Sequence, residues 1–251
     1  MRIYYDKSLL MLGNISLIYS PNFSTIKRIN KNIKFIIIHY TGMNSEKKAI
    51  KRLIDVHSNV SCHYFIKRNG NIILMVPEKY IAWHAGKSIW KQYISLNKFS
   101  IGIELQNNGH KFGYQNYTSK QINSLIKISK YLMKKYKITK KNILGHSDTS
   151  YDRKEDPGEK FPWKYLAKYK IGVWHNVNKV KLAKTRNCKT SPHEDKKMLK
   201  FLKSFGYFVN KISVKQKTQL IKAFQRRFRP NLINGKIDKE CLLIAENISK
   251  L

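Results

Sequence analysis

The run Phe35-Ile36-Ile37-Ile38 constrains the fold more than any other stretch of the 251-residue chain. Alternate side chains of a strand point to opposite sides, so four consecutive apolar residues, three of them β-branched, read as a strand buried on both faces. A sheet containing such a strand needs a layer on each side. Ser100 to Leu105 reads as a second strand with Glu104 near its end. Cys62 to Ile66 and Ile72 to Val76 flank Lys67-Arg68-Asn69-Gly70-Asn71, where Asn-Gly signals a hairpin. Asn142 to Leu144 leads into Gly145-His146. Between Glu46 and His57, Ala49, Ile50, Leu53 and Ile54 keep the spacing of an amphipathic helix. Thr118 with Gln121 makes a capping box ahead of Ile122, Leu125, Ile126 and Leu132, a helix expected to run to Lys137. Asp148 to Pro162 reads as loop. Strands mixed with helical crossovers imply an α/β fold, a mixed β-sheet flanked by helices.

Beyond Lys170 the pattern changes to helices alone. Ser191-Pro192-His193-Glu194 combines a capping Ser, Pro at the first helical position and Glu at the capping-box position, and Gly206 is a natural stop. Ser213 with Gln216 starts a second helix, striped with Leu220, Ile221, Phe224 and Phe228, and Asp238 caps a third with Leu242, Leu243, Ala245 and Ile248. Such a set predicts a small C-terminal three-helix bundle. The expected division is residues 1–180 as one domain and 181–251 as a separate helical domain.

A net charge of +35 predicts attraction to polyanions, whether nucleic acid, anionic lipid or acidic wall polymer, and does not choose among them. Only nine of the 50 basic residues are Arg, and Lys lacks the planar fork that reads base edges. Biased Lys usage across a proteome would give the same total. Cys62, Cys188 and Cys241 stand far apart with no CxxC pair, which points to neither a disulfide framework nor a thiolate metal site. No segment reaches the roughly 18 apolar residues of a membrane span. Ser8 to Tyr19 is moderately apolar but broken by Gly13 and Asn14, and neither a cleavable signal nor a lipobox is expected there.

None of the eight His residues signals a metal by itself. His39 and His146 each close an apolar strand-like run, and Asp156 follows His146 by ten residues in a Gly/Pro-containing loop. Catalytic zinc takes three N or O ligands and keeps a position for water, so two His and one carboxylate would suffice. No HExxH helix fixes that geometry, and spacing alone leaves the question open.

The segments Ile36-Ile37-Ile38-His39-Tyr40-Thr41-Gly42, Ala82-Trp83-His84-Ala85-Gly86, Ser100-Ile101-Gly102-Ile103-Glu104-Leu105, Gly145-His146-Ser147-Asp148 and Lys154-Glu155-Asp156-Pro157-Gly158 resemble the AmpD/AmiD branch of the N-acetylmuramoyl-L-alanine amidases. Ala223-Phe224-Gln225-Arg226-Arg227-Phe228-Arg229-Pro230 and Gly235-Lys236-Ile237-Asp238 are similar to the peptidoglycan-binding module of AmiD-type relatives. The resemblance implies a peptidoglycan amidase/recognition-protein-like fold, with Zn2+ held by His39, His146 and Asp156. It implies a catalytic pair, Glu104 as proton carrier and Lys154 as oxyanion stabiliser. The implied substrate is peptidoglycan or its muropeptide fragments, in a bacterial cell envelope or cytoplasm, with no nucleic-acid partner. His63 and His84 are expected to line the substrate cleft, while His57, His110, His175 and His193 carry no expected role. A recognition module that binds without cutting would lack the full ligand set.

Overall fold

A computed structural model of the chain describes residues 15–251. Most of the Ser8 to Tyr19 stretch therefore lies outside the described residues. Ten strands and eight α-helices follow in the order β1 (Ile15–Leu17), β2 (Phe23–Ser24), β3 (Phe35–Tyr40), α1 (Glu46–Ile54), β4 (Tyr64–Ile66), β5 (Ile72–Leu74), β6 (Ile81–Ala82), β7 (Ile89–Trp90), β8 (Tyr93–Ile94), β9 (Ser100–Leu105), α2 (Ser119–Tyr136), β10 (Ile143–Gly145), α3 (His146–Thr149), α4 (Trp163–Lys168), α5 (Lys179–Thr185), α6 (Pro192–Phe205), α7 (Val214–Phe228) and α8 (Lys239–Ser249) among the described residues. Six strands form one mixed sheet in the order β1-β5-β4-β9-β3-β10. The β4–β5 hairpin is antiparallel and the other pairings in this sheet are parallel. β2 with β6 and β7 with β8 make two small ribbons.

The apolar run in β3 is buried on both faces, as its composition requires. Ile36 and Ile38, with Ile101, Ile103 and Leu105 of β9, pack beneath α2 and α4 through Leu125, Leu132, Trp163 and Leu166. Phe35 and Ile37, with Leu144 of β10, face the other way and meet Leu202 and Phe205 of α6 and Phe224 and Phe228 of α7. On that same side α1 covers Phe65 and Ile73 with Ala49 and Leu53. A cleft over the carboxyl ends of β3 and β9 is flanked by Ala49, Arg52 and Leu53 of α1.

The capping signals fall where the helices begin. Thr118, Ser191 and Ser213 each close a capping box, and the Asp238 carboxylate accepts from the Cys241 N–H. Gly206 ends α6 at φ 143°, where an added Cβ would run into Trp90. Three helices went unforeseen, α3, α4 and α5, as did the short strands β1, β2, β6, β7 and β8. α1 stops at Ile54 rather than running to His57, because the Asp55 carboxylate accepts from the His57 N–H and starts a separate turn over Val56–Ser58.

The expected domain boundary cuts through a shared apolar cluster. Residues 180 and 181 lie inside α5, whose Leu182 is buried in the same cluster as Phe35, Ile37 and Leu144. The C-terminal helices bury their stripes against the sheet, so they form its second covering layer. A buried ion pair crosses the same junction. Asp148 in α3 pairs with Arg227 of α7 and accepts from the Tyr207 hydroxyl at 2.6 Å. Within the C-terminal layer Arg229 meets Asp238, and Arg186 meets Glu240 at 2.7 Å. Under the sheet Glu78 pairs with Lys135 at 2.6 Å. No helix among the described residues is long and apolar enough to cross a membrane.

Candidate active site

Period-two alternation carries β3 from core to cleft on one face, through Phe35, Ile37 and then His39. β9 does the same with Ser100, Gly102 and Glu104. Parallel register sets His39 opposite Glu104, so both side chains rise from the same face at the carboxyl end of the sheet, where ligands of open α/β sheets bind. Gly145 of β10 is in register with Ile38, which brings His146 beside His39. Asp156 is folded back onto this point by its own carbonyl, which accepts from the Ser147 N–H at 2.8 Å. Its loop is pinned by Tyr114 and Tyr117, whose hydroxyls both donate to the Pro157 carbonyl at 2.6 and 2.7 Å.

The three donors converge. His39 Nδ1, His146 Nδ1 and Asp156 Oδ2 lie 3.0 Å from one another in every pairing, and all three residues are buried. The outer nitrogen of His146 faces the Ala85 carbonyl at 3.1 Å, an acceptor only, so it bears the ring hydrogen and leaves Nδ1 as a bare lone pair. A bare nitrogen against a carboxylate oxygen is two acceptors in contact, which a divalent cation reconciles. Two imidazoles and one carboxylate, with a carbonyl as outer partner, are the donor set and support of a catalytic metal. Burial, with His146 beside it, lowers His39 to about 4. Burial alone would raise Asp156, but the His146 and His39 imidazoles outweigh it and hold the carboxyl well below the usual carboxylate range.

Glu104 and Lys154 lie in the same cleft, a cavity of about 290 Å³ also lined by Tyr40, Thr41, Arg52 and Trp83. Glu104 Oε2 is buried with no hydrogen-bond partner among the described residues. Burial, reinforced by the Asp156 charge and opposed by Lys154, pushes this carboxyl up to about 8. Lys154 follows a turn anchored by its own N–H to the Ser150 carbonyl at 3.0 Å. The structure thus gathers His39, His146, Asp156, Glu104 and Lys154 in one place.

Of the two remaining histidines, His84 lines the cleft as expected and His63 does not. His63 is fully buried behind it, with ring nitrogens facing the Gly102 N–H and the Tyr80 carbonyl at 3.0 and 3.1 Å. His84 reaches the cleft floor, but its nitrogens are spent on His39 at 3.0 Å and Ser100 at 3.1 Å. Neither has a nitrogen to offer a substrate. Burial lowers both well below the usual imidazole range, helped by the Arg28 guanidinium for His63 and by the neighbouring imidazoles for His84.

Sequence reasoning missed Arg52, a polar-face residue of α1, and Asp148, which accepts from the Gly145 N–H at 2.7 Å and so steadies the residue before His146. It also missed His110, which bridges Tyr40 on the cleft wall to Glu159, each at 2.9 Å. A larger cavity of about 560 Å³ lies between α4 and the C-terminal helices, but its arginines Arg186, Arg227 and Arg229 are already paired with Glu240, Asp148 and Asp238.

Residues 29–159 match the family model described as N-acetylmuramoyl-L-alanine amidase. The amidase AmiD of Escherichia coli K12 is 35% identical over 227 residues, which span 85% of this chain and 81% of that protein. The structure of E. coli AmiD with anhydro-N-acetylmuramic acid-L-Ala-D-γ-Glu-L-Lys superposes with a TM-score of 0.78 at 34% identity, covering 87% of this chain and 89% of that one. AmpDH3 of Pseudomonas aeruginosa has a TM-score of 0.77 at 29% identity, covering 93% and 97%. Fold and sequence agree, and the chain belongs to the N-acetylmuramoyl-L-alanine amidase family.

Proposed function

We propose that this chain is a zinc hydrolase that cuts the amide between N-acetylmuramic acid and L-alanine in peptidoglycan or its muropeptide fragments. The observation that carries the reading is the convergence of three buried donors beside an unpartnered buried carboxylate oxygen of Glu104. Its support from outside the chain is the AmiD relative bound to an anhydro-muramyl peptide. His39, His146 and Asp156 would hold the metal, and their mixed N and O character suits zinc. Bound there, zinc would polarise the scissile carbonyl and make water nucleophilic near neutral pH.

Glu104 takes the proton of the attacking water on its carboxylate. It returns that proton to the alanine nitrogen as the C–N bond breaks, so that the amine leaves neutral and the carboxyl product stays on the sugar's lactyl arm. Lys154 directs its ammonium at the oxygen on which negative charge develops. The proposed substrate places the protein wherever wall or wall fragments are met, in the cell envelope or the cytoplasm of a bacterium.

The test is product analysis. Purified protein given anhydro-muramyl tripeptide should release a peptide with a free N-terminal alanine, carry about one zinc per chain and stop on chelation. Release of that peptide at an undiminished rate by rigorously metal-free protein would end the zinc reading.

A further inference from the structure

The proposed ligands must turn bare nitrogens towards the metal, and we infer that Ser100 and Asn97 are positioning residues that set this through His84. The reading rests on the zinc proposal above. The polarity of the hydrogen bonds is fixed at its far end. The Leu96 carbonyl accepts only, so the Ser100 hydroxyl 2.6 Å away donates its single hydrogen there. Ser100 Oγ then accepts from His84 Nε2 at 3.1 Å. A neutral imidazole with its hydrogen on Nε2 has a bare Nδ1, which accepts from His39 Nε2 at 3.0 Å. His39 is left with Nδ1 bare, the atom that faces His146 and Asp156.

A second branch serves His146. Asn97 Oδ1 accepts the N–H groups of His84 and Ala85 at 3.1 and 2.7 Å. One amide oxygen therefore holds the backbone that carries both the His84 ring and the Ala85 carbonyl, the group that takes the hydrogen of His146 Nε2. The alternation of β9 supplies the seat: Ser100 anchors the His84 ring, Gly102 leaves room for it and Glu104 faces the cleft. An added Cβ at Gly102 would overlap that ring.

Outer partners of metal-bound histidines are typically worth about 10–100-fold in metal affinity. Zinc affinity, read by competition with a chromophoric chelator on the full-length protein, should fall by about that factor in Ser100→Ala and recover in Ser100→Thr. Ser129→Ala, which removes a buried hydroxyl with no partner among the described residues, should leave affinity unchanged. Long-range 1H–15N spectra of the wild-type imidazoles are independent of any variant's folding. They should show His39, His84 and His146 as Nε2–H tautomers, and Ser100→Ala should mix the His84 signals. Unchanged zinc affinity in a folded Ser100→Ala protein, or an Nδ1–H signal from His84 in the wild type, would overturn the inference. Wild-type protein that bound no zinc at all would instead overturn the zinc reading on which it rests.

Discussion

Ending the chain at Lys181 should destroy the catalytic sheet rather than release it. The truncation removes Leu202, Phe205, Phe224 and Phe228, the apolar cover of Phe35, Ile37, Trp90, Leu144 and Val173, all of which are at most 2% exposed. Side chains of this kind contribute about 1.5–3 kcal/mol each when fully buried, so partial exposure of the five costs on the order of 5–10 kcal/mol. A domain of ordinary stability has only about 5–15 kcal/mol to lose. Asp148 is also stripped of Arg227 and Tyr207, and a buried carboxylate without its cation costs roughly 3–5 kcal/mol more. The truncated protein should show no cooperative thermal transition by circular dichroism and a collapsed amide proton spectrum. A sharp melt near that of the full chain, with one zinc bound, would refute the shared-core argument and restore two independent modules.

Arg227→Met keeps bulk but leaves Asp148 unpaired in the interior. It should cost about 3–5 kcal/mol, read as a lowered midpoint in urea, with a fall of roughly 2–4 °C in melting temperature per kcal/mol. A loss below 1 kcal/mol, on the order of an exposed pair's worth, would mean that the ion pair is hydrated. Glu104→Gln should keep zinc and lose about 10²–10⁴-fold in kcat. In metal-free protein the same substitution should stabilise the fold at alkaline pH. The folded Glu104 carboxyl titrates at about 8, above its ordinary value of 4.5, so the native state binds the proton more tightly and wild-type stability falls as pH rises between the two. The Gln variant should therefore gain on the wild type across that window, and parallel pH curves would contradict the assignment. Chelating the metal should lower the unfolding free energy, read as a lower melting temperature, by an amount that grows with the logarithm of the zinc that had been free, reaching about 2.7 kcal/mol at a hundredfold excess over Kd.

Local signals were legible and distant ones were not. Thr118, Ser191, Ser213 and Asp238 could be read as helix starts because a cap and its partner lie three residues apart. The fully apolar Phe35 to Ile38 run demanded a layer on each side, and both layers exist. What no stripe reveals is its partner: Phe224 and Phe228 pack with Phe35 and Ile37 as readily as with a private bundle. That ambiguity lies behind the boundary drawn at residues 180 and 181. α3 spans four residues and α5 buries Leu182 alone, too little for a period to register. Asp148 and Arg227 are 79 residues apart, and nothing in either neighbourhood announces the other. Spacing left the His39, His146 and Asp156 set open, and the family motifs brought it together. His63 was misjudged because a histidine opening a strand reads alike whether it faces cleft or core.

The ion pairs inside the fold also decide what the molecule presents outside. Of its 15 acidic residues, Glu78, Asp148, Asp156, Asp238 and Glu240 are buried, and the partners they consume include Lys135, Arg186, Arg227 and Arg229. The internal ion pairs add nothing to the total, so the bulk of the +35 belongs to an outer shell in which lysine meets few neighbouring carboxylates. Such a shell behaves as a polycation. It gathers a cloud of small anions, exchanges them for fixed negative groups on any polymer it approaches, and loses its reach over about 8 Å at physiological ionic strength. Residence on an acidic polymer would then be governed by salt, independently of whether the cleft is filled, and the protein could remain near its matrix between turnovers.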